Sequence, residues 1–339
     1  MVRKSDPDAR ISFLATSAGI ENQLVPPRGY DLLTVPKAAI PRGISKDLLL
    51  LPLNLMRAVS VTRRKIAGAD VIVGFGGYLA GTAYIAAKLS RIPIIVHEAN
   101  AKAGLANRLG SFLTDDVALC EQTLGIGKGV VIGLPMREAL LTWAHRIRTD
   151  PIESRTQARR ALGIEPEKQT LVVMGGSQGS LRINDAIAKA LDQILANDIQ
   201  VVHAVGGRNV LPTKRPGYFP TAYLNQVELA YAAADLLIAR SGAATCQETL
   251  AFGLPAIFVP LPHGNGEQEL NAAPLVKVGA GVIIRDELLD GETLGQTSIE
   301  ILKDEERLGR MRQASAQLAR LDAAQELAGM VIRVTDGRA

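Results

Sequence analysis

Two segments in the second half of the sequence have the residue types of phosphate-binding loops. The first is formed by Gly175, Gly176, Ser177, Gln178 and Gly179. It follows an apolar segment at 170–174 and precedes a helical pattern at 181–196. Glycines let the backbone approach a phosphate, and a helix N-terminus adds N–H donors and partial positive charge. The pattern favours a phosphate site, and a tight turn without a ligand is the alternative.

The second segment, Ser241 to Glu248, also lies between an apolar run and a helical pattern. Its small residues permit close approach of a ligand, and Thr245 can donate a hydrogen bond to a phosphate. The carboxylate of Glu248, one turn into the helix, can accept both hydroxyls of a ribose. A glutamate near a helix start also stabilises the first turn without any ligand, so Glu248 alone fits either role.

Further polar groups follow other apolar runs. Glu267 and Gln268 have side chains that suit the hydroxyls of a sugar, and Arg137 is suited to a diphosphate. His97 and Glu98 end an apolar run in the first half and are the candidates for a catalytic base, although each could equally be structural. Each segment alone is weak evidence for a ligand site. The evidence is their common position directly after apolar runs.

The elements that must position these groups are short apolar strands alternating with amphipathic helices. Such a pattern predicts α/β domains whose parallel sheets are covered on both faces, with functional loops at the carboxyl ends of the strands. The predicted strands are 11–15, 70–73, 93–97, 117–119, 130–132, 170–174, 200–204, 235–239, 255–259 and 281–284.

An internal repeat indicates two domains. Residues 70–97 and 235–259 both contain an aspartate, a strand, a small-residue loop, a helix, a proline and another strand in that order. We expect one domain at 1–134 and a second at 166–320, joined by a linker region at 135–165. A terminal helix at 321–339 is of a kind that often packs back on the first domain.

Composition narrows the class of protein. Apolar residues make up 47% of the 339 residues and aromatic residues only 4%, which suits aliphatic parallel sheets. The two cysteines, Cys120 and Cys246, suggest neither a disulfide framework nor a metal site. No run of 18 apolar residues and no apolar leader is present, so we expect neither a membrane-spanning helix nor secretion.

A membrane surface is nevertheless an expected partner. Residues 1–150 carry 19 Lys and Arg against 12 Asp and Glu, whereas the remainder carries 19 against 22. Within the basic half, the run LLLLPLNLM at 48–56 is flanked by basic residues and is too short to span a bilayer. We expect an interfacial patch, with a buried helix as the alternative. Its residues are Leu49, Leu50, Leu53 and Met56.

These segments together resemble the MurG family of UDP-N-acetylglucosamine transferases, which act on undecaprenyl-pyrophosphoryl-N-acetylmuramyl pentapeptide. The resemblance extends over nearly the whole chain from about residue 10, and its combination of motifs is highly specific. The matching stretches are VGFGGYLAGTAYIAAKLSRIPIIVHEANAKAGLANR (73–108), VIGLPMR (131–137), VVMGGSQGSLRIND (172–185), ARSGAATCQETLAFGLPAIFVPLP (239–262) and EQELNA (267–272).

The resemblance implies two Rossmann-like domains facing across a cleft, the GT-B type, with the donor sugar nucleotide held mainly by the second. The implied donor-binding residues are Asn100, Arg137, Ser177, Leu224, Ala243, Ala244, Thr245, Cys246, Gln247, Glu248 and Gln268. Glu248 would hold the ribose, Ser177 and Thr245 the diphosphate, and Asn100 with Gln268 the sugar hydroxyls. Glu267 stands where some members carry Gln, a change that a sugar site tolerates.

The resemblance also implies a reaction and a location. The donor sugar is α-linked and the family's product is β-linked, so the reaction is a direct displacement at the sugar carbon. The resemblance places this reaction in peptidoglycan synthesis. It also implies a protein bound peripherally at the cytoplasmic face of the cell membrane. No Asp-x-Asp motif precedes a donor loop, so we expect no metal, no other cofactor and no nucleic-acid partner.

One departure from the family concerns the first domain. Members begin with a strand and a G-G-T-x-G-H loop whose histidine is thought to serve catalysis, and this sequence begins at about the second strand. We expect the natural protein to be longer. The alternatives are another UDP-sugar enzyme of the same fold, such as a glycolipid synthase or an epimerase, and a binding-only subunit completed by a partner. A nicotinamide dehydrogenase is disfavoured because the sequence lacks G-x-G-x-x-G.

Overall fold

The computed structural model describes residues 1–37, 46–263 and 265–336, with the backbone alone at 46–50. Two compact units divide the chain. The first comprises Met1–Leu134 and the segment that begins at Asp322, and the second comprises Pro135–Leu321. Every pairing between the strands named below is parallel, as the alternation of strands and helices in the sequence predicts.

The first unit contains two hydrogen-bonded groups of strands. One is the pair β1-β2, and the other is a four-stranded sheet in the order β3-β4-β5-β6. These strands are β1 (Ser12–Ala15), β2 (Asp31–Thr34), β3 (Ile72–Gly74), β4 (Ile94–Glu98), β5 (Val117–Leu119) and β6 (Val130–Val131).

The first unit also contains helices. They are α1 (Val2–Ser5), α2 (Glu21–Leu24), α3 (Lys46–Lys65), α4 (Gly77–Leu89), α5 (Leu105–Leu113) and α14 (Ala323–Asp336). Of these, α3, α4 and α14 contribute buried side chains to the clusters on the four-stranded sheet. Tyr84 of α4 is completely buried in a cluster with Val96 of β4 and Val59 of α3. The chain's last helix, α14, buries Leu327 and Met330 against the sheet residues of a separate cluster. The sheet therefore has an apolar layer on two sides.

The second unit is a six-stranded sheet between two layers of helices. The strands are β7 (Thr170–Met174), β8 (Gln200–Ala204), β9 (Tyr218–Thr221), β10 (Leu236–Ala239), β11 (Ala256–Phe258) and β12 (Gly281–Ile283). The helices are α6 (Glu138–Thr149), α7 (Pro151–Leu162), α8 (Leu181–Ala196), α9 (Val227–Ala233), α10 (Ala243–Phe252), α11 (Glu267–Lys277), α12 (Gly291–Lys303) and α13 (Glu305–Leu318).

The strand order of this sheet is β12-β11-β10-β7-β8-β9. From β7 the chain runs outward through β8 and β9, then returns to the other side of β7 as β10. The direction of winding therefore reverses between β7 and β10. In open α/β sheets such a reversal leaves a crevice at the carboxyl ends of the two strands, where ligands bind.

Amphipathic helices explain the cores on both faces of this sheet. In α8, Ile183, Ile187 and Ile194 repeat at helical spacing and are all completely buried against the strands. On the opposite face, Leu250 of α10 and Leu229 of α9 belong to a second buried cluster. The strands between them are apolar on both sides, which accounts for their uninterrupted runs of aliphatic residues.

Residues 135–165, set apart above as a linker region, form α6 and α7 of the second unit. Leu140 and Ala144 of α6, together with Ala158 of α7, are buried in the same cluster as β10 residues. Apolar residues at helical spacing lie among the charged residues of this segment. The segment is therefore part of the second unit's core.

All ten strands that the sequence predicts are present, within two residues at each end. Two short strands, β2 and β9, were missed. β9 contains Pro220, which cannot donate to a neighbouring strand and is tolerated because β9 lies at the edge of its sheet. Within the described ranges, no helix is both long enough and apolar enough to cross a membrane.

A buried histidine connects β8 to β9 and α8. The Tyr218 hydroxyl lies 2.9 Å from Nδ1 of His203, and Asn184 Oδ1 lies 3.1 Å from Nε2. Asn184 donates from Nδ2 to the carbonyl oxygen of Val205, which turns its Oδ1 toward the ring, so Nε2 is the protonated nitrogen. A neutral imidazole satisfies both contacts, and burial lowers the pKa of His203 to about 4.

Acid should therefore weaken the second unit. Because the folded pKa is depressed below the ordinary 6.5, the stabilisation is complete above pH 6.5 and is lost as the pH falls toward 4. We expect a loss of about 2 kcal/mol between pH 7 and pH 5. The single tryptophan, Trp143 on α6, lies in this unit, so its fluorescence during denaturant unfolding measures the effect.

The matched variants are His203→Gln and His145→Gln, since His145 is exposed in the same unit. His203→Gln should lose most of the pH dependence, whereas His145→Gln should retain it. An unchanged pH dependence in His203→Gln would show that another group is responsible.

Candidate functional site

The glycine-rich loop after β7 is held in a conformation that requires glycine. Gly179 has a φ of +76°, and a Cβ at this position would lie 2.0 Å from the carbonyl oxygen of Val205. The loop ends at Ser180, whose hydroxyl caps α8 by accepting from the N–H of Ile183 at 3.4 Å. Ser177 and Gln178, by contrast, are exposed at the tip of the loop. The loop therefore presents its tip at the carboxyl end of β7.

The loop after β10 leads directly into a second helix N-terminus. Gly242 precedes α10, and no side chain caps the helix. A Cβ on Gly242 would meet no atom within 4 Å, so this helix start is open on that side. Ala243 and Thr245 are half-buried and Ala244 is exposed, whereas Cys246 and Gln247 are buried. The last two can therefore contribute to a ligand site through the backbone only.

Arg240, which immediately follows β10, joins the loops at this edge. Its Nη2 donates to the Ser180 hydroxyl at 2.8 Å. Its Nη1 donates to the carbonyl oxygens of Val259 at 3.1 Å and Pro260 at 3.0 Å, and forms an ion pair with Asp286 at 2.6 Å. One guanidinium thus connects segments that follow β7, β11 and β12. An arginine at a strand end was the one signal in the sequence for this role.

Glu248 lies one turn into α10 and accepts a hydrogen bond from the Tyr231 hydroxyl at 2.8 Å. Burial raises the pKa of Glu248, while the hydrogen bond from Tyr231 and the charge of Arg137 lower it. Arg137 is exposed at the start of α6, in the same unit. A carboxylate with one fixed partner and a nearby cation is suited to accepting hydroxyl hydrogen bonds.

Two further predicted residues lie in this unit. Gln268, on the first turn of α11, accepts at Oε1 from the N–H of Leu261 at 3.0 Å. This contact orients the amide, so its Nε2 group is presented on the other side as a donor. Leu224 is half-buried and packs against the apolar cluster beneath α9. Of the predicted donor residues, all except Asn100 belong to the second unit.

In the first unit, Glu98 is a buried acceptor for four N–H donors. Its Oε1 accepts from the backbone N–H of Asn100 at 2.9 Å and from Asn100 Nδ2 at 3.2 Å. Its Oε2 accepts from the N–H of Gly104 at 3.1 Å and from Asn107 Nδ2 at 3.0 Å. The Tyr84 hydroxyl in turn donates to Asn107 Oδ1 at 2.8 Å. The carboxylate therefore fixes the loop that carries Asn100.

His97 is equally enclosed. It is 1% exposed, and its Nε2 lies 2.9 Å from the carbonyl oxygen of Gly133, an acceptor that makes Nε2 the protonated nitrogen. Burial lowers the pKa of His97, so the ring is neutral at pH 7. His97 and Glu98, the two predicted catalytic residues, lie together at the end of β4. Both are buried beneath the loop that carries Asn100. Their catalytic role stays a prediction.

Sequence inspection missed another carboxylate at this edge. Glu121 follows β5, the strand that pairs with β4, and burial raises its pKa to about 7. A pKa in this range suits a residue that accepts a proton at neutral pH. An acidic residue just beyond a predicted strand was the available signal.

The predicted membrane patch lies on α3. Leu53 and Met56 are 60% and 61% exposed, so the alternative of a wholly buried helix does not hold for these two side chains. Leu49 and Leu50 lie outside the residues whose side chains are described. Helix α5 of the same unit also exposes apolar side chains, Leu105 by 72% and Phe112 by 81%.

Comparison with known proteins agrees with this geometry. The N-terminal domain of glycosyltransferase family 28 matches residues 2–119, and its C-terminal domain matches residues 170–327. Curated relatives from Acidothermus cellulolyticus and Streptomyces coelicolor are 40% and 41% identical to the chain. The alignments cover 99% and 100% of this chain and 93% of each relative. Both relatives are named UDP-N-acetylglucosamine--N-acetylmuramyl-(pentapeptide) pyrophosphoryl-undecaprenol N-acetylglucosamine transferase.

Solved structures of known proteins are also similar to this chain. The crystal structure of Acinetobacter baumannii MurG aligns with a TM-score of 0.75 at 25% identity, covering 98% of this chain and 94% of that one. A UDP-GlcNAc 2-epimerase from Neisseria meningitidis aligns with a TM-score of 0.63 at 12% identity, covering 96% and 91%, which shows a shared fold alone. The fold is GT-B, and the chain belongs to the MurG family of UDP-N-acetylglucosamine transferases within glycosyltransferase family 28.

Proposed function

We propose that this chain transfers N-acetylglucosamine from UDP-N-acetylglucosamine to undecaprenyl-pyrophosphoryl-N-acetylmuramyl pentapeptide, the step that converts lipid I to lipid II in peptidoglycan synthesis. Relatives of about 40% identity over nearly the full chain carry the name of this reaction. The structural observation that carries the proposal is the pair of loops at the winding reversal. Both precede helix N-termini, which attract the diphosphate of a UDP sugar.

The second unit supplies the residues for the donor. The backbone N–H groups of Gly175, Gly176 and Gln178 and of the first turn of α10 would contact the diphosphate, with hydroxyl donors from Ser177 and Thr245. The N–H of Gly179 donates to the carbonyl oxygen of Gly176 at 3.0 Å and so shapes the loop. Glu248 would accept the ribose hydroxyls, and the Nε2 group of Gln268 would donate to the sugar. In the first unit, Asn100 is the residue that the family resemblance assigns to the sugar.

Inversion at the sugar carbon requires a direct displacement. The acceptor hydroxyl oxygen forms a bond to C1 of N-acetylglucosamine as the bond from C1 to the UDP oxygen breaks. UDP leaves with the electron pair, and the hydroxyl proton passes to a base. The exposed guanidinium of Arg137 and the N–H groups at the helix starts would stabilise the negative charge that develops on UDP.

The first unit contributes in two ways to this reaction. Glu98, with all its oxygen contacts occupied by the loop, acts as a positioning residue for Asn100. His97, neutral and bound to a carbonyl oxygen, supports the same strand end. Glu121 is the carboxylate of this sheet edge best suited to receive the proton, because its pKa is raised to about 7.

A membrane surface would bring the enzyme to its lipid-linked acceptor. Leu53 and Met56 project from α3, whose last turn carries Arg63, Arg64 and Lys65. Exposed apolar side chains next to basic ones bind the interface of an anionic bilayer. Leu105 and Phe112 of α5 extend the apolar surface of the same unit. We place the protein peripherally at the cytoplasmic leaflet.

The direct test is an assay with labelled UDP-N-acetylglucosamine in the presence and absence of the lipid-linked acceptor. Transfer to the lipid, dependent on the acceptor, is the expected result. Conversion of the nucleotide sugar without any acceptor would instead support an epimerase, and binding without turnover a binding-only subunit.

Replacing Glu98 by Gln should raise KM for UDP-N-acetylglucosamine more than it lowers kcat. The amide group cannot accept from all four N–H donors, so the loop with Asn100 shifts. We expect about a tenfold increase in KM, since one charge-assisted contact contributes about 1.5–3 kcal/mol.

Glu121→Gln is the comparison variant on the same sheet edge. It should leave KM nearly unchanged, lower kcat, and remove the rise of kcat with pH near 7 that an ionising base produces. If Glu98→Gln instead lowered kcat alone and altered the pH profile, Glu98 would be the base.

The double variant Leu53→Ser, Met56→Ser should bind vesicles that contain anionic phospholipid at least about tenfold more weakly than the wild type, because two apolar contacts with the bilayer are lost. Cosedimentation measures this binding. Leu288→Ser is the control, since Leu288 is 63% exposed in the second unit. Equal vesicle binding by the double variant and the control would show that Leu53 and Met56 of α3 do not contact the membrane.

A further inference from the structure

The loop that follows β8, at residues 205–211, packs against the glycine-rich loop that follows β7. The strands β7 and β8 are parallel neighbours, so both loops leave the same edge of the second sheet. A Cβ on Gly179 would lie 2.0 Å from the carbonyl oxygen of Val205. Conversely, a Cβ on Gly206 would lie 2.3 Å from the carbonyl oxygen of Gln178. The two backbones are therefore in contact at two points, and neither point has space for a side chain.

Asn209 joins these two loops by hydrogen bonds. Its Nδ2 donates to the carbonyl oxygen of Val205 at 2.6 Å and to that of Gln178 at 3.3 Å. An amide NH2 group carries two hydrogens, so both bonds can form at once. The backbone N–H of Asn209 donates to the carbonyl oxygen of Gly206 at 3.0 Å, which closes the turn that places the amide. One side chain thus holds the backbone at the tip of the glycine-rich loop.

The loop from which Asn209 projects is itself fixed to the core. The carbonyl oxygen of Val205 also accepts from Asn184 Nδ2 at 3.0 Å. Asn184 in turn accepts at Oδ1 from Nε2 of His203 at 3.1 Å. His203 and Val205 are each 1% exposed. Through Asn209, the tip of the glycine-rich loop is therefore connected to completely buried groups of the sheet.

The glycine-rich loop depends on an anchor of this kind. The N–H of Gly179 donates to the carbonyl oxygen of Gly176 at 3.0 Å, which closes a single turn, and the side chains of Ser177 and Gln178 are exposed. Glycines have a wide range of accessible φ and ψ, so a loop that contains three of them loses much entropy when it is ordered. An anchor outside the loop removes part of that cost from ligand binding.

We propose that Asn209 is a positioning residue for the donor diphosphate, because it holds Gln178 of the glycine-rich loop in the conformation that binds phosphate. The inference rests on the proposed donor site, in which the N–H groups of Gly175, Gly176 and Gln178 contact the diphosphate. The N–H and the carbonyl group of Gln178 lie in peptide planes that meet at one Cα, so fixing the carbonyl oxygen restricts the direction of the N–H. Asn209 acts in this way on the phosphates and not on the uracil or the ribose.

The test compares Asn209→Ala with Asn197→Ala in the full chain. Asn197 is the matched control because both asparagines are half-buried and both donate from Nδ2 to a carbonyl oxygen. The acceptor of Asn197 is Gln193, at 3.0 Å, at the end of α8 remote from the glycine-rich loop. Calorimetric titration measures the affinity for UDP. The affinity for uridine, which has the same base and ribose without phosphate, is measured by its competition with UDP.

Asn209→Ala should bind UDP about tenfold more weakly than the wild type and uridine with unchanged affinity, since only the phosphate contacts are displaced. Asn197→Ala should bind both ligands like the wild type. Thermal unfolding followed by the fluorescence of Trp143 checks that the second unit is folded in each variant.

A second pair of variants displaces the same loop without changing Asn209. In Gly206→Ala the new Cβ would lie 2.3 Å from the carbonyl oxygen of Gln178, so UDP affinity should again fall more than uridine affinity. Gly279→Ala is its control, because the φ values of +94° and +80° are similar and a Cβ on Gly279 would meet no atom within 4 Å. If Gly206→Ala does not unfold cooperatively, the asparagine pair decides.

Equal UDP affinity in Asn209→Ala and Asn197→Ala would overturn the proposal. A loss in Asn209→Ala that is the same for UDP and for uridine would also overturn it, because Asn209 would then support the fold of the whole site. In both cases the wild type still binds UDP, and the proposed donor site stands. A wild type that does not bind UDP would instead contradict the donor site and, with it, this role of Asn209.

Discussion

The proposed donor site depends on the attraction that the N–H groups at the starts of α8 and α10 would exert on a diphosphate. These helices lie on either side of the point where the winding of the second sheet reverses, between β7 and β10. Parallel strands bring both helix starts to one edge, and each carries partial positive charge. The fold therefore favours an anion at this edge before any side chain contributes.

Side chains then make this site rigid. Arg240 connects Ser180, which caps α8, to the backbone after β11 and to Asp286 after β12, so three loops are fixed by one half-buried guanidinium. Tyr231 holds the carboxylate of Glu248 in the same way. In the first unit, Glu98 fixes the loop of Asn100 with four hydrogen bonds. Prior fixation of this kind lowers the entropy that ligand binding costs.

The sequence was sufficient for the parts that depend on local pattern. Uninterrupted aliphatic runs located ten strands, and glycines beside helix starts located the two loops that we propose bind phosphate. Local sequence pattern could not predict the role of a residue whose partners lie far away along the chain. Arg240 contacts Ser180 and Asp286, far from it along the chain, and the four N–H donors around Glu98 could not be inferred from its position after an apolar run. Pro220 concealed an edge strand.

Calorimetric titration with UDP tests the central claim most directly. We expect one UDP to bind per chain, and Gly179→Ala to bind at least about tenfold more weakly, because the new Cβ would lie 2.0 Å from a carbonyl oxygen and displace the loop. Gly163→Ala is the matched control, with a similarly positive φ of +67° but no atom within 4 Å. An absence of UDP binding, or equal affinity in the two variants, would contradict the account.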